Sequence, residues 1–416
     1  MCEDVLACAF GAGLSETDLS LPGELQVEPW WPNGMGSGKL YDVEGVLEDL
    51  NGNALDRWQG RVGFRQIRWL PCEGAPANAE SWICEVNGKP LFLQGANWTP
   101  IRMTYGSVTP GMYQRMLTLY ADLGFNLLRV WGGGVLEKEA FYRRCDELGL
   151  MVWQEYPLSS SGIDNIPPHA PEALADLAEI ARSYIWRRGG HPSLLCWCGG
   201  NELFNEKGLT KAKAVDATDH CIAILAGISA QLAPDTRFLA TSPSGPTMWY
   251  DAKLSGQGLH HDVHGPWVVP DSMDTWRGYW DSHDALFVSE VGVPSCSPAK
   301  MLLDYAGDLN PWPPTADNPY WVYRAPWWIE WDQLAPVYGF KLEQPELERF
   351  VAASQELQAE ALVYLVKSCK ERFPRCGGVI LWHGHDCYPC PSDNSIIDFD
   401  GVPKPAALAL KKIHTS

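Results

Sequence analysis

Leu194-Leu195-Cys196-Trp197-Cys198-Gly199-Gly200-Asn201-Glu202 is the stretch on which the reading of this chain turns. A short apolar run passes through two glycines and ends on an amide and a carboxylate. Phe287-Val288-Ser289-Glu290 repeats the pattern further on. Outward from these two runs, short apolar segments alternate with amphipathic helices, the signature of βα units around a parallel sheet. Eight strands are predicted, at 91–97, 125–131, 150–155, 194–202, 238–242, 258–264, 286–290 and 378–383. Helices are predicted at 110–123, 137–148, 171–187, 211–232, 344–371 and 403–413. Eight parallel strands, most feeding a helix, are the number that closes into a (β/α)8 TIM barrel, an α/β fold.

Composition bounds the function. The chain has 416 residues, 46% of them hydrophobic and 20% charged, which is enough for a large core and unlike a disordered chain. The net charge of −19 repels phosphate backbones and anionic lipid, so neither nucleic acid nor a membrane is an expected partner. No apolar run approaches the roughly 18 residues of a membrane span. Residues 1–10 carry Glu3 and Asp4 and do not read as a signal peptide. The 13 cysteines are scattered and several sit in apolar runs, which suggests free thiols and a cytoplasmic location. Most of the 20 tryptophans are expected in the core, and some as platforms for the apolar face of a sugar ring.

Residues 1–85 form one expected domain and 86–416 the barrel. The first is β-rich: Tyr41, Val43 and Leu47 share one strand face, Asn51-Gly52-Asn53 turns the chain, and residues 61–67 return. It reads as a partial β-sandwich. Residues 295–344, with Pro311-Trp312-Pro313-Pro314 and Trp327-Trp328, are expected to be irregular and to lie on the catalytic face.

In such a barrel the active site lies at the C-terminal strand ends. Strand four there ends on Glu202 and strand seven on Glu290. A single glutamate at a strand end is more often a salt bridge or a cap. Two on opposite sides of one mouth suit glycoside hydrolysis, in which one carboxyl donates a proton and the other attacks the anomeric carbon. A retaining enzyme needs them about 5–5.5 Å apart.

Several motifs occur in order: Gly95-Ala96-Asn97-Trp98, Arg129-Val130-Trp131-Gly132-Gly133-Gly134, Cys145-Asp146-Glu147-Leu148-Gly149, Val152-Trp153-Gln154-Glu155, His191-Pro192-Ser193, Gly200-Asn201-Glu202, Ser289-Glu290-Val291-Gly292 and Lys404-Pro405-Ala406. With them the chain resembles glycoside hydrolase family 2, in its β-mannosidase branch, within the clan of barrel glycosidases that carries its glutamates on strands four and seven. Trp30-Trp31-Pro32-Asn33-Gly34 and Gly63-Phe64-Arg65 resemble the immunoglobulin-like domain ahead of that barrel. The resemblance spans about residues 27–414.

The resemblance implies Glu202 as acid/base and Glu290 as nucleophile of a retaining β-mannosidase acting on β-linked glycosides, without a cofactor. It implies that Asn201 bonds the sugar 2-hydroxyl and that Arg129 keeps the nucleophile ionised, with a barrel-core ion pair as the plainer role. Asn97, Trp98, Trp131, His264 and Trp382 are the further expected substrate contacts, with core packing the plainer reading for the tryptophans. The Gly132-Gly133-Gly134 run would let backbone approach the substrate. The family also implies a jelly-roll domain reaching into the site. No stretch here reads as one, nor as the first strands of the sandwich, which leaves two readings: a fragment or split product, for which a partner chain can supply the domain, or a site built differently and more open. Residues 157–168 depart from the aromatic loop the family implies.

Three other readings compete. His383-x-His385-Asp386-Cys387-x-x-Cys390 has ligand types suited to zinc, and His260, His261 and His264 end strand six. Cleavage by two carboxylates needs no metal, so no metal site is assigned. The sugar could instead be a glucosaminide, galactoside or glucuronide. The chain could also be a catalytically weak carbohydrate-binding fragment.

Overall fold

The computed structural model describes residues 25–159, 165–207, 213–322, 324 and 328–415. The leader reading at 1–10, the start of the expected first domain, Trp327 and part of the 157–168 loop lie outside the described residues.

The chain starts with an antiparallel hairpin, β1 (Tyr41–Glu48) and β2 (Ala54–Val62), then a three-stranded meander, β3 (Ile67–Leu70), β4 (Ile83–Val86) and β5 (Lys89–Leu91). The eight barrel strands follow: β6 (Leu93–Trp98), β7 (Leu127–Val130), β8 (Met151–Glu155), β9 (Leu194–Cys198), β10 (Arg237–Leu239), β11 (Asp262–His264), β12 (Phe287–Val291) and, after a short β13 (Ser295–Cys296), β14 (Gly378–Leu381). The order across the sheet is β10-β9-β8-β7-β6-β14-β12-β11, all parallel. The first barrel strand pairs with the last, so the sheet runs around a barrel with its seam between β10 and β11. A two-residue β15 (Ser392–Asp393) pairs with β13.

The outer helices are α1 (Pro110–Asp122), α2 (Glu139–Leu148), α3 (Pro171–Arg188), α4 (His220–Leu232), α5 (Met273–Ser282), α9 (Leu347–Glu371) and α10 (Pro405–His414). Proline opens α1, α3 and α10, where a missing N–H costs nothing. Gly149 closes α2 at φ 71°, a conformation that suits glycine. The helix expected from residue 211 starts at His220 instead, because Asp219 accepts from the N–H groups of Cys221 and Ile222 and caps it there. Helix α5 was not expected. It begins on the Ser272 cap and buries Trp276 and Trp280.

Residues 295–344 are more regular than their composition suggests. They hold α6 (Ala299–Asp304), α7 (Pro319–Val322) and α8 (Trp331–Tyr338) around their own core of Trp312, Tyr320, Trp321, Leu334 and Phe340. This segment bonds to the loops after β11 and β14, through Gln333 Nε2 to Val269 O and Ser392 Oγ to Trp328 O. Both loops leave the C-terminal ends of strands, so the segment sits on the expected face.

Strand alternation sorts the barrel residues into two sets. Leu93, Leu127, Met151, Trp153, Cys196, Phe287 and Ile380 face the axis and join the core of the N-terminal meander, while Ala96, Trp98, Leu128, Val130, Val152, Trp197 and Val288 face the helices. Trp82, from the segment before β4, closes the barrel floor. Its ring stacks on Phe287 at 4.7 Å and on Trp153 at 6.2 Å, with the Arg237 guanidinium 4.6 Å away on the ring. Trp30-Trp31-Pro32-Asn33 docks on the same lower end. Trp30 Nε1 donates to Asp146 O, Asn33 N to Gly149 O, and Asn33 Nδ2 to Ala121 O and Phe125 O. Asp146 in turn takes Ser193 N and His191 Nδ1. The Trp30, Cys145 and His191 motifs are therefore structural.

The hairpin is the least covered part. Tyr41, Val43 and Leu47 lie opposite Val62, Gly60 and Asp56 as alternation predicts, but Leu47 and Trp58 are 47% and 58% exposed. Cysteines are free thiols throughout the described residues, and all but the half-buried Cys387 are buried. No described helix is long and apolar enough to cross a membrane.

Trp82→Ala should destabilise the chain by about 3–5 kcal/mol, since a large ring leaves a cavity in a packed layer. Trp58→Ala should change stability by less than about 0.5 kcal/mol, as for other surface substitutions. Urea unfolding of the two variants measures the contrast, and equal effects would overturn the assignment of Trp82 as the floor.

Candidate functional site

Above the apolar floor the axis-facing residues become polar. Asn97, Arg129, Glu155, Asn201 and Glu290 come from the ends of five strands or the turns just after them. Arg129 is fully buried and bonds to all four others. Nε and Nη2 reach Glu155 Oε1 at 3.0 and 2.8 Å, Nη1 reaches Asn97 Oδ1 at 2.5 Å and Glu290 Oε2 at 3.0 Å, and Nη2 reaches Asn201 Oδ1 at 2.6 Å. Burial works against its charge, but Glu155 and Glu290 outweigh it and the guanidinium is held above its usual range. Glu155 is pushed up by burial, while Arg129 and the Gly132 N–H at 2.7 Å pull it back.

Glu202 and Glu290 come together. With His264 they place one ligand-capable atom each within 4.8 Å of one another. Glu202 has a left-handed backbone, φ 52°, strained for a residue with a side chain. The turn is held by Glu202 N donating to Ser242 O and by Asn165 Nδ2 donating to Glu202 O, both at 2.7 Å. Gly200 at φ 155° abuts Leu158 there, and a Cβ would stand 2.5 Å from Leu158 O. The strain carries the carboxylate over the mouth rather than along the strand.

Glu290 is 5% exposed. Its Oε1 accepts from Trp267 Nε1 at 3.0 Å and its Oε2 from Arg129. Burial and the charge of Glu202 push its carboxyl up, to about 8, against Arg129 and Trp267, which pull it down. The proton condition of Glu290 therefore depends on its neighbour.

His264 is buried, and burial lowers it to about 4, so the ring is neutral. Its Nδ1 lies 3.1 Å from Glu202 Oε1 and its Nε2 3.1 Å from Ser242 Oγ, which donates to Ser289 Oγ. With the serine hydroxyl spent in that way, Nε2 carries the ring hydrogen and Nδ1 faces Glu202 as an acceptor.

The remaining expected contacts divide. Trp131 and Trp382 are half-buried and meet edge to face at 5.3 Å, forming a wall whose Trp382 N donates to Val291 O, next to Glu290 in the chain. Trp98 is a correction. It alternates with the axis-facing Asn97, so it points to the helices, where it packs on Phe141 and Tyr120 and donates to Glu137 Oε1. At 1% exposure it is out of reach of a sugar. Asn97 is fully buried too; it orients Arg129, and its Nδ2 donates to Leu381 O and Ser289 O. The glycine run also differs from expectation. A Cβ on Gly133 would lie 2.1 Å from the Trp131 ring, and one on Gly132 2.3 Å from Leu158 O, so these glycines admit the indole and the neighbouring loop. Sequence reasoning missed Glu155, Trp267 and Ser242. Glu155 ends the Val152-Trp153-Gln154-Glu155 strand motif, and Trp267 follows His264 by three residues, so strand-end position was the available signal.

Residues 80–221 match the family model described as glycosyl hydrolases family 2, TIM barrel domain. The chain is 29% identical over 412 residues to beta-mannosidase B of Thermothelomyces thermophilus, covering 92% of this chain and 46% of that protein. Its structure resembles the beta-D-mannosidase of Dictyoglomus thermophilum, with a TM-score of 0.77 and 25% identity over 93% of this chain and 46% of that one. It also shares the fold of the exo-chitosanase of Amycolatopsis orientalis, with a TM-score of 0.69 and 20% identity over 93% and 44%. The chain spans about half the length of the relatives it matches.

Titration of Glu290, read from its carboxyl carbon by NMR, should move to higher pH in Trp267→Phe, which removes a donor to the ionised form. It should move to lower pH in Glu202→Gln, which removes a negative neighbour. Shifts in the same direction would overturn this balance of forces.

Proposed function

We propose that this chain, whose residues 80–221 match the TIM barrel domain of glycosyl hydrolases family 2, is a retaining β-mannosidase, releasing terminal β-D-mannose by double displacement. The observation that carries the proposal is the approach of Glu202 and Glu290 to within 4.8 Å across one mouth, with Arg129 and Trp267 both donating to Glu290. One oxygen of each carboxylate within that reach supports a pair that acts on the same glycosidic bond, as a retaining mechanism requires.

In the first half-reaction Glu290 attacks C1 while Glu202 gives its proton to the leaving oxygen. A protonated Glu202 no longer repels Glu290, so Arg129 and Trp267 hold the nucleophile ionised when it is needed. Proton loss then leaves Glu202 a carboxylate, ready to take a proton from water as the glycosyl-enzyme is hydrolysed with retained configuration. His264 Nδ1, an acceptor, takes a hydrogen bond from protonated Glu202 and orients it as the acid. Asn201, aligned by Arg129, is assigned to the sugar 2-hydroxyl, and Trp131 with Trp382 to the ring face.

The names of the relatives support mannose, and the exo-chitosanase likeness keeps glucosaminides as the second specificity to try. The catalytic steps use no cofactor. We read residues 25–85 as part of an immunoglobulin-like sandwich and 86–416 as the barrel domain. The exposed Leu47 and Trp58 of the hairpin support a further sheet or a partner chain over that face. Free, mostly buried thiols support a cytoplasmic location.

Release of the aryl group from a panel of aryl β-mannoside, glucoside, galactoside, glucuronide and glucosaminide should favour the mannoside. Glu290→Gln should abolish turnover, and near-full activity would remove it from the nucleophile role. Glu202→Ala should slow poor leaving groups far more than activated ones, and equal losses would end its role as acid. A folded chain inactive on every substrate would favour a carbohydrate-binding fragment.

A further inference from the structure

Directly after Trp382 the loop leaving β14 gathers titratable groups that the glutamate chemistry does not use. His383 is 5% exposed and Asp386 3%, and with Asp393 at the end of β15 they bring one ligand-capable atom each to within 4.8 Å of one another. Neither oxygen of Asp386 meets a donor in hydrogen-bonding geometry. Ser395 and Lys404 lie near it, but Lys404 Nζ is directed at Ser295 O, Ser295 Oγ and Ser395 Oγ. The Ser395 hydroxyl and the charges of Lys404 and His383 are its support, and a buried carboxylate held without a hydrogen bond of full geometry is costly and is steadied by a further positive centre.

The imidazole is arranged to supply a ligand. His383 Nδ1 lies 3.0 Å from the carbonyl of His385, which can only accept, so Nδ1 carries the hydrogen. Nε2 faces Asp393 Oδ1 at 3.5 Å, an approach that needs a proton or a cation between the two atoms, and with the proton displaced the Nε2 lone pair is a ligand. A backbone carbonyl fixing one ring nitrogen while the other points at carboxylates is the usual support of a metal-binding histidine. Asn394, the next residue, is also buried with its amide unpartnered.

We propose that His383, Asp386 and Asp393 bind a divalent cation of the zinc type, at a structural site that fixes the loop behind Trp382. One imidazole nitrogen with two carboxylates is a donor set for a first-row transition ion; calcium and magnesium favour oxygen alone. The set differs from the one that spacing suggests. His385 turns away to the hydroxyl of Tyr120, 2.9 Å from its Nδ1. Cys390 Sγ lies 3.8 Å from Asp393 Oδ2 and, pushed up by burial, remains a thiol. Because Asp393 belongs to the β13–β15 pair beyond Glu290 and His383 adjoins Trp382, the ion ties the tryptophan wall to the strand pair beyond the nucleophile.

The test needs a background in which the catalytic pair cannot trap metal, since Glu202, His264 and Glu290 also cluster. The whole chain carrying Glu290→Gln is stripped with chelator and titrated with Zn2+ by calorimetry, and its melting temperature is followed. One equivalent should bind and raise the melting temperature. Adding Asp386→Asn or Asp393→Asn should weaken binding by about a hundredfold or more, as ligand loss exceeds the effect of losing an outer-shell partner. Circular dichroism checks that these variants fold. If they do not, the parent titration decides alone. Absence of one bound equivalent in the parent would overturn the proposal and leave His383 as an imidazolium paired with Asp393. So would binding undiminished in folded Asp386→Asn and Asp393→Asn chains.

Discussion

The Arg129 guanidinium, buried among two carboxylates and two amides, is the constraint on which the upper barrel depends. Its donors join the ends of β6, β7 and β8 to the turn carrying Asn201 and to Glu290 in β12. Burying such a charge costs several kcal/mol, returned only when its partners are well placed, and loss of one partner of a buried pair typically costs about 3–5 kcal/mol. The ring of five residues is therefore a specification as well as a stabilisation: strands out of register would leave charges facing nothing.

That network explains how two glutamates with different surroundings can share one mouth. Glu290 is enclosed and held by two donors. Glu202 sits on a strained turn beside a neutral histidine. The difference arises from the barrel floor upward. Trp82, Trp153 and Phe287 fill the lower axis with apolar volume, and the first polar layer above them excludes water well enough for Arg129 and Trp267 to act at full strength on Glu290.

The barrel was legible because period-two burial and βα alternation leave marks in every strand, and all eight strands overlap the expected segments, with β6, β10 and β12 each overrunning by one residue. The glutamate pair was legible because strand ends face one mouth. Three things were not. The side of the sheet that Trp98 faces depends on alternation with Asn97, and a motif read as a block hides it. The role of Gly133 depends on the rotamer of Trp131, which the sequence does not record. The start of α4 depends on one capping aspartate, Asp219, within a stretch that is periodic on both sides of it. In the segment 295–344, proline and tryptophan mask short helices whose core is made by their own aromatic rings.

The sealed floor has a consequence for traffic. With Trp82 closing the lower end, the barrel is a blind well, and whatever enters must leave by the same opening. On the proposed double displacement, the departing aglycone and the incoming nucleophile use one passage in turn. The intermediate then waits until the first has cleared, and during that wait any alcohol small enough to pass the Trp131–Trp382 wall competes with water for the sugar. The ratio of transfer to hydrolysis is thereby set by the width of a doorway, not by the chemistry of the two carboxylates.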